Sequence, residues 1–260
     1  MTVSYVVTTQ RDLSGAGAMV VILLEVTVRS KVLLDKLVSA SREYVNCFDI
    51  PEAPAGHPAP SSLAIATYLK TKYRACAIPH VRLHDVNELA LRSIVKAISF
   101  FDLDGLLVTM GDAPKYGSCI NNLTTDEAVD LIKGLGYGVR VGSILSLRYG
   151  LRDIEERLAG SADFFYVLRL GEDTFSKYVQ VLDKAREHGK ELYPYVLIST
   201  SVNEEVLRKL RQPYVTLDDL PLLIEKLKTI ADGLVISSPL EYDLLPQILK
   251  VVKSVVNQSH

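Results

Sequence analysis

The chain has 260 residues, 48% of them hydrophobic and 23% charged, with a formal net charge of −2. That length can bury a substantial core, and the near-neutral balance offers no basic excess of the kind that binds nucleic acid. No apolar run reaches the roughly 18 residues of a membrane span, which argues against a membrane protein.

The first 18 residues fit no regular element and read as an N-terminal extension or arm, with residues 19–260 as one domain. From there short apolar runs alternate with segments of helical period. Strands are predicted at residues 20–28, 44–50, 75–83, 105–110, 140–147, 163–170, 192–199 and 233–237. Helices are predicted at residues 31–42, 61–73, 86–101, 124–135, 151–159, 174–188, 203–211, 217–230 and 242–256. In the first helix Leu33, Leu34, Leu37 and Val38 share one face, with Asp35 and Lys36 outside it. Thr124 and Asn203 each stand before acidic residues as helix caps. Strands apolar on both faces and separated by helices imply parallel pairing with right-handed crossovers. Such alternation over the whole length fits a (β/α)₈ barrel; a doubly wound open sheet would usually need fewer strands. The run "GAGAMVVILL" stops at Glu25 with few basic residues before it, so a signal peptide is not expected. Cys47, Cys76 and Cys119 are odd in number and lack metal-ligand spacing, so they read as reduced thiols of a cytoplasmic protein.

In such a barrel chemistry sits at the C-terminal ends of the strands. Polar residues collect there: Glu25 in the first strand, Asp49 and Glu52 ending the second, and His80, Arg82 and His84 on or after the third. Asp112 follows the fourth, Ser143 and Ser146 are on the fifth, Arg169 ends the sixth, and Tyr193 and Tyr195 are on the seventh. A carboxylate inside "VVILLEVTV" costs desolvation unless it is paired, and burial moves its pKa toward that of a useful general acid. The plainer reading of Glu25 is a salt bridge to Arg82 or Arg169. Asp112, in "GLLVTMGDAP", stands well before the helix at Thr124, so capping explains it poorly, whereas Asp85 before "VNELAL" reads as a cap. His80 and His84 are four apart, which on a strand is about 13 Å and too far for one ion. His80 is then either a core histidine or a ligand contact. "GYGVRVG" has the wrong order for a dinucleotide fingerprint.

These residues resemble, in order and spacing, the methylenetetrahydrofolate reductase family. The resemblance runs from about Val20 to Val256: Glu25 in "LLEVTV", the turn "FDIPEAPAGHPAPSSLAIATYLK", Pro79-His80 followed by Asn87, Gly111-Asp112-Ala113-Pro114, and "LAGSADFFYVLRL". It implies a flavin-binding (β/α)₈ barrel in which reduced FAD passes hydride to a methylene-tetrahydropterin, giving the 5-methyl form. Glu25 would be the general acid and Asp112 the carboxylate beside flavin and pterin, both catalytic. Asp49, His80, Gly111 and Ser143 would contact the cofactor, and Arg169 and Tyr195 the substrate. The implied partners are a reduced folate or another tetrahydropterin, NAD(P)H or another electron donor, and a second copy or partner subunit, with no nucleic acid and no membrane. The chain departs from the family pattern at Val26-Thr27-Val28-Arg29, at Met110, at Val167-Leu168 and at Asp49. Those departures point to a divergent, archaeal-type member, to FMN or no tightly held flavin in place of FAD, or to one of two alternatives. The alternatives are a flavin-independent pterin-binding methyl-transfer barrel and a non-catalytic binding subunit.

Overall fold

The apolar segments form eight strands: β1 (Val21–Glu25), β2 (Cys47–Ile50), β3 (Ala77–Arg82), β4 (Leu106–Thr109), β5 (Val141–Ser146), β6 (Phe164–Leu168), β7 (Glu191–Leu197) and β8 (Gly233–Ser237). All pair in parallel with their chain neighbours, and β8 returns to β1, so the sheet closes on itself. The helices are α1 (Lys31–Ser41), α2 (Ser62–Tyr73), α3 (Glu88–Phe100), α4 (Thr125–Gly134), α5 (Leu151–Leu158), α6 (Glu172–Glu187), α7 (Glu204–Leu210), α8 (Leu220–Lys228) and α9 (Leu245–Asn257). The chain is a single-domain (β/α)₈ barrel, here in a computed structural model that describes residues 20–258. The arm expected over residues 1–18 lies outside the described residues.

The strands are apolar on both faces because each face has its own core. Ile22, Leu24, Phe48, Ile50, Val108, Phe165, Val167 and Ile236 point outward against the helices. Leu23, Cys47, Ile78, Leu107, Phe164, Tyr166, Tyr193 and Val235 fill the lumen. Large rings enter the lumen only because small residues make room. A Cβ on Gly142 would stand 2.1 Å from the Phe164 ring, and one on Gly233 would stand 2.4 Å from the ring of Tyr193. Any side chain at either position would expel an aromatic residue from a close-packed interior.

The amino-terminal end of the barrel is closed by matched charges. Arg140 pairs with Glu191 and lies 4.9 Å over the ring of Phe164, while the Tyr193 hydroxyl donates to the same Glu191 carboxylate. Asp163 takes Lys133 at 2.8 Å and the backbone N–H of Val141 at 2.7 Å, and Asp104 takes Lys70 at 2.9 Å.

Three expectations change. Cys47 and Cys76 form a disulfide between neighbouring strand starts, because strand pairing sets their Cα atoms 4.6 Å apart. Cys119 alone is a free thiol, and it is exposed. Asp85 is not a cap: Asn87 accepts the Ala90 N–H at the start of α3, and Asp85 turns to Arg82. Asn203 does not cap α7 through its side chain but ties Ile198 to Ser238 beneath that helix. The cap expected at Thr124 is present, and Glu127 reciprocates to complete a capping box. Among the described residues no helix is long and apolar enough to cross a membrane.

Candidate functional site

Strand alternation aims every second side chain into the lumen. At the carboxy-terminal ends this brings together Glu25, Asp49, His80, Tyr195, Tyr166 and Ser237. Glu25 and Asp49 are direct partners in the β1–β2 register. Asp49 is completely buried and holds two hydrogen-bond partners: His80 Nε2 lies 2.6 Å from Oδ1, and the Tyr195 hydroxyl donates to Oδ2 at 2.9 Å. Glu25, half-buried at the mouth, accepts from Ser237 Oγ at 2.8 Å. The Tyr166 ring packs 6.1 Å from His80 and 5.7 Å from Tyr195, and its buried hydroxyl meets no partner within hydrogen-bond geometry.

The electrostatics follow from this arrangement. Burial pushes the Glu25 carboxyl above the usual carboxylate range, and the negative charge of Asp49 pushes it further, against the smaller opposing pull of Ser237, His80 and Tyr195. Burial, then the charge of Asp49, also holds the phenols of Tyr166 and Tyr195 well above their ordinary range. Neither arginine offered as a salt-bridge partner reaches Glu25. Arg82 is buried beneath two loops, where it donates to the carbonyls of Ala53 and Asp112 and lies 3.1 Å from Asp85. Arg169 donates to the carbonyl of Arg211 at 3.1 Å. A carboxyl whose hold on its proton is strengthened in this way is suited to deliver that proton.

Of the residues picked out from sequence, Glu25, Asp49, His80 and Tyr195 share this cluster. The others stand apart from it. The Asp112 side chain is exposed on the loop after β4, and its backbone serves Arg82. Gly111, at φ +79°, lets the chain pass over Arg82, whose side chain would lie 2.5 Å from an added Cβ. Ser143 faces outward and accepts from Arg157 of α5 at 2.8 Å. Arg169 sits at the end of β6, half-buried, with φ +68°. Tyr166 and Ser237 were missed. Tyr166 is two residues after Phe164 and Ser237 two after Val235, so strand parity alone would have aimed them inward. His80 and His84 do not converge, and among the described residues no group of three or more His, Cys, Asp or Glu is arranged to hold a metal ion.

No family model matches the chain, and no curated protein does. Solved structures do match. Orotidine 5′-monophosphate decarboxylase from Methanocaldococcus jannaschii, complexed with the inhibitor BMP, aligns with a TM-score of 0.60 at 11% identity, over 93% of this chain and 100% of that one. 3-Keto-L-gulonate-6-phosphate decarboxylase from Vibrio cholerae aligns with a TM-score of 0.56 at 12% identity, over 92% and 98%. A protein from Aquifex aeolicus VF5 aligns with a TM-score of 0.58 at 11% identity, over 92% and 91%. At such identities the likeness shows the fold.

These neighbours correct the resemblance to methylenetetrahydrofolate reductase. Two barrels that align over 92% and 93% of this chain are decarboxylases, not flavin reductases, so the oxidoreductase and flavoprotein readings and the assignment of FAD fall. The two alternatives, methyl transfer and a non-catalytic subunit, gain nothing from them. The geometry shows why order and spacing misled. The four residues expected around a flavin line no common surface: Asp49 and His80 are bonded to each other in the lumen, Ser143 faces a helix, and Gly111 packs on Arg82. Polar residues at strand ends recur in barrels of many chemistries.

Proposed function

We propose that this chain is a decarboxylase-type lyase acting on a small carboxylic acid at the C-terminal mouth of the barrel, with Glu25 as the proton donor. In this reading the bond between the substrate carbon and its carboxylate breaks, CO₂ leaves, and the electron pair stays on carbon. The Glu25 proton is transferred to that carbon, and Glu25 is left as a carboxylate that solvent at the mouth reprotonates. The observation that carries the proposal is the Glu25 carboxyl, raised by burial and by Asp49 and bonded to Ser237 rather than to a cation. Support also comes from the names of two neighbours, decarboxylases of orotidine 5′-monophosphate and of 3-keto-L-gulonate 6-phosphate, which suggest an acid whose carbanion is stabilised by an adjacent carbonyl or ring.

The test is to incubate the protein in D₂O with both of those compounds and a panel of β-keto acids, following CO₂ and product by NMR. The expected result is CO₂ release with one solvent deuterium in the product, lost in Glu25→Gln. No release from any of these acids, or release undiminished in Glu25→Gln, would overturn the proposal. A cytoplasmic location belongs to the same proposal, although disulfides are rare there outside hyperthermophiles. Alkylation of acid-quenched cells, with mass spectrometry of the Cys47 and Cys76 peptides, decides it: a bridge formed only after lysis supports that compartment.

A further inference from the structure

We propose that Tyr195 is a positioning residue that acts through Asp49 to keep the proton of the Glu25–Asp49 pair on Glu25. Two carboxyl groups opposite each other in the strand register share one small space, and both do not ionise there without penalty. The hydrogen bonds are divided unequally between them. Asp49 holds two partners, His80 Nε2 at 2.6 Å and the Tyr195 hydroxyl at 2.9 Å, whereas Glu25 holds Ser237 Oγ at 2.8 Å. Donors favour the ionised form of the group they reach, so the uneven supply favours leaving the shared proton on Glu25.

The groups around Glu25 on the surrounding strands are Asp49 of β2, His80 of β3, Tyr166 of β6, Tyr195 of β7 and Ser237 of β8, with Arg82 of β3 turned away from it. Arg82 is committed to Ala53, Asp112 and Asp85. His80 is engaged by Asp49. The Tyr166 hydroxyl is buried near Asp49 but meets no partner within hydrogen-bond geometry. Tyr195 is therefore the donor that stands between the carboxylates, bonded to Asp49 and close enough to Glu25 to pull its carboxyl slightly down by direct contact. That direct pull and the indirect push through Asp49 have opposite signs, and this makes the two roles separable.

The inference rests on reading Glu25 as the proton-carrying group, but its test needs no substrate, so its failure is distinct from failure of the lyase proposal. The full chain, labelled with ¹³C at the glutamate carboxyl and the tyrosine ring, is titrated by NMR, with Glu25 assigned by the signal that Glu25→Gln removes. Tyr195→Phe is expected to move the Glu25 midpoint down. In an Asp49→Asn background the same change should no longer lower it, a non-additivity that a packing role would not produce. A midpoint that rises or stays in Tyr195→Phe, or that falls equally in both backgrounds, overturns the inference. Should Tyr195→Phe not fold, the wild-type chain decides: the Tyr195 ring carbon bearing oxygen must shift through the Glu25 midpoint, and a silent signal sinks the idea.

Discussion

The two ends of this barrel handle buried charge in opposite ways. At the amino-terminal end Glu191 meets Arg140, Asp163 meets Lys133, and Asp104 meets Lys70. Each carboxylate there has a cation or a row of N–H donors, so desolvation is offset locally. At the carboxy-terminal end Glu25 faces Asp49, and Arg82 is turned away to hold two loops together. Like charges in a low-dielectric space are destabilising. The first arrangement closes a fold; the second, in the function proposed above, keeps a proton where it can be used. The difference matches the division of labour in (β/α)₈ barrels, stability below and chemistry above.

The sharpest way to break the comparison is at the top. Glu25→Gln should lower decarboxylation by about 10²–10⁴-fold, the range for a lost general acid, with circular dichroism unchanged. Next comes the bottom. Replacing Cys47 and Cys76 together by alanine should cost about 2–4 kcal/mol in urea denaturation, as removal of a cross-link does, while leaving turnover in place. Arg140→Met should cost about 1–3 kcal/mol, discounted because Arg140 and Glu191 are each about a quarter exposed, again with turnover retained. The smallest effect concerns pH. Because the folded state holds the Glu25 proton more tightly than the unfolded chain does, its contribution to stability is present below the ordinary carboxylate range. That contribution is lost as pH rises through the raised Glu25 pKa. Denaturation midpoints across that window should fall less in Glu25→Gln than in the wild type; parallel curves would remove Glu25 as the cause.

The fold was legible because each strand carries its own punctuation: an apolar run, then a turn, then a helix of clear period. The runs ending in Glu25, Ile50 and Ser237 are examples, and the observed strands fall within the predicted stretches, save for an early start at Glu191. The upper site was legible in part. Glu25, Asp49 and His80 stand out as polar residues in apolar strands, and burial is what makes such residues conspicuous. Tyr166 does not stand out, since "FFYVL" reads as core, and Ser237 is too small to signal anything. Ser143 was drawn in as a polar residue on the fifth strand; its neighbours Gly142 and Ile144 take the inward positions, which leaves Ser143 to α5. Pairings between distant strands, such as Tyr195 with Asp49 across 146 residues, are set by closure of the sheet, and no local pattern carries them.

The aromatic lining of the lumen also gives the molecule an optical signature. The chain has 13 tyrosines and no tryptophan, so its near-ultraviolet absorption is dominated by phenol. Tyr116, Tyr137, Tyr149 and Tyr214 are exposed, whereas Tyr166, Tyr178, Tyr193 and Tyr195 all have phenols held above their ordinary range, chiefly by burial. In an alkaline titration the interior set stays dark until the barrel opens. The rise in phenolate absorbance that follows ionisation of this interior set would then report the integrity of the lumen itself, without a label and without knowledge of the substrate.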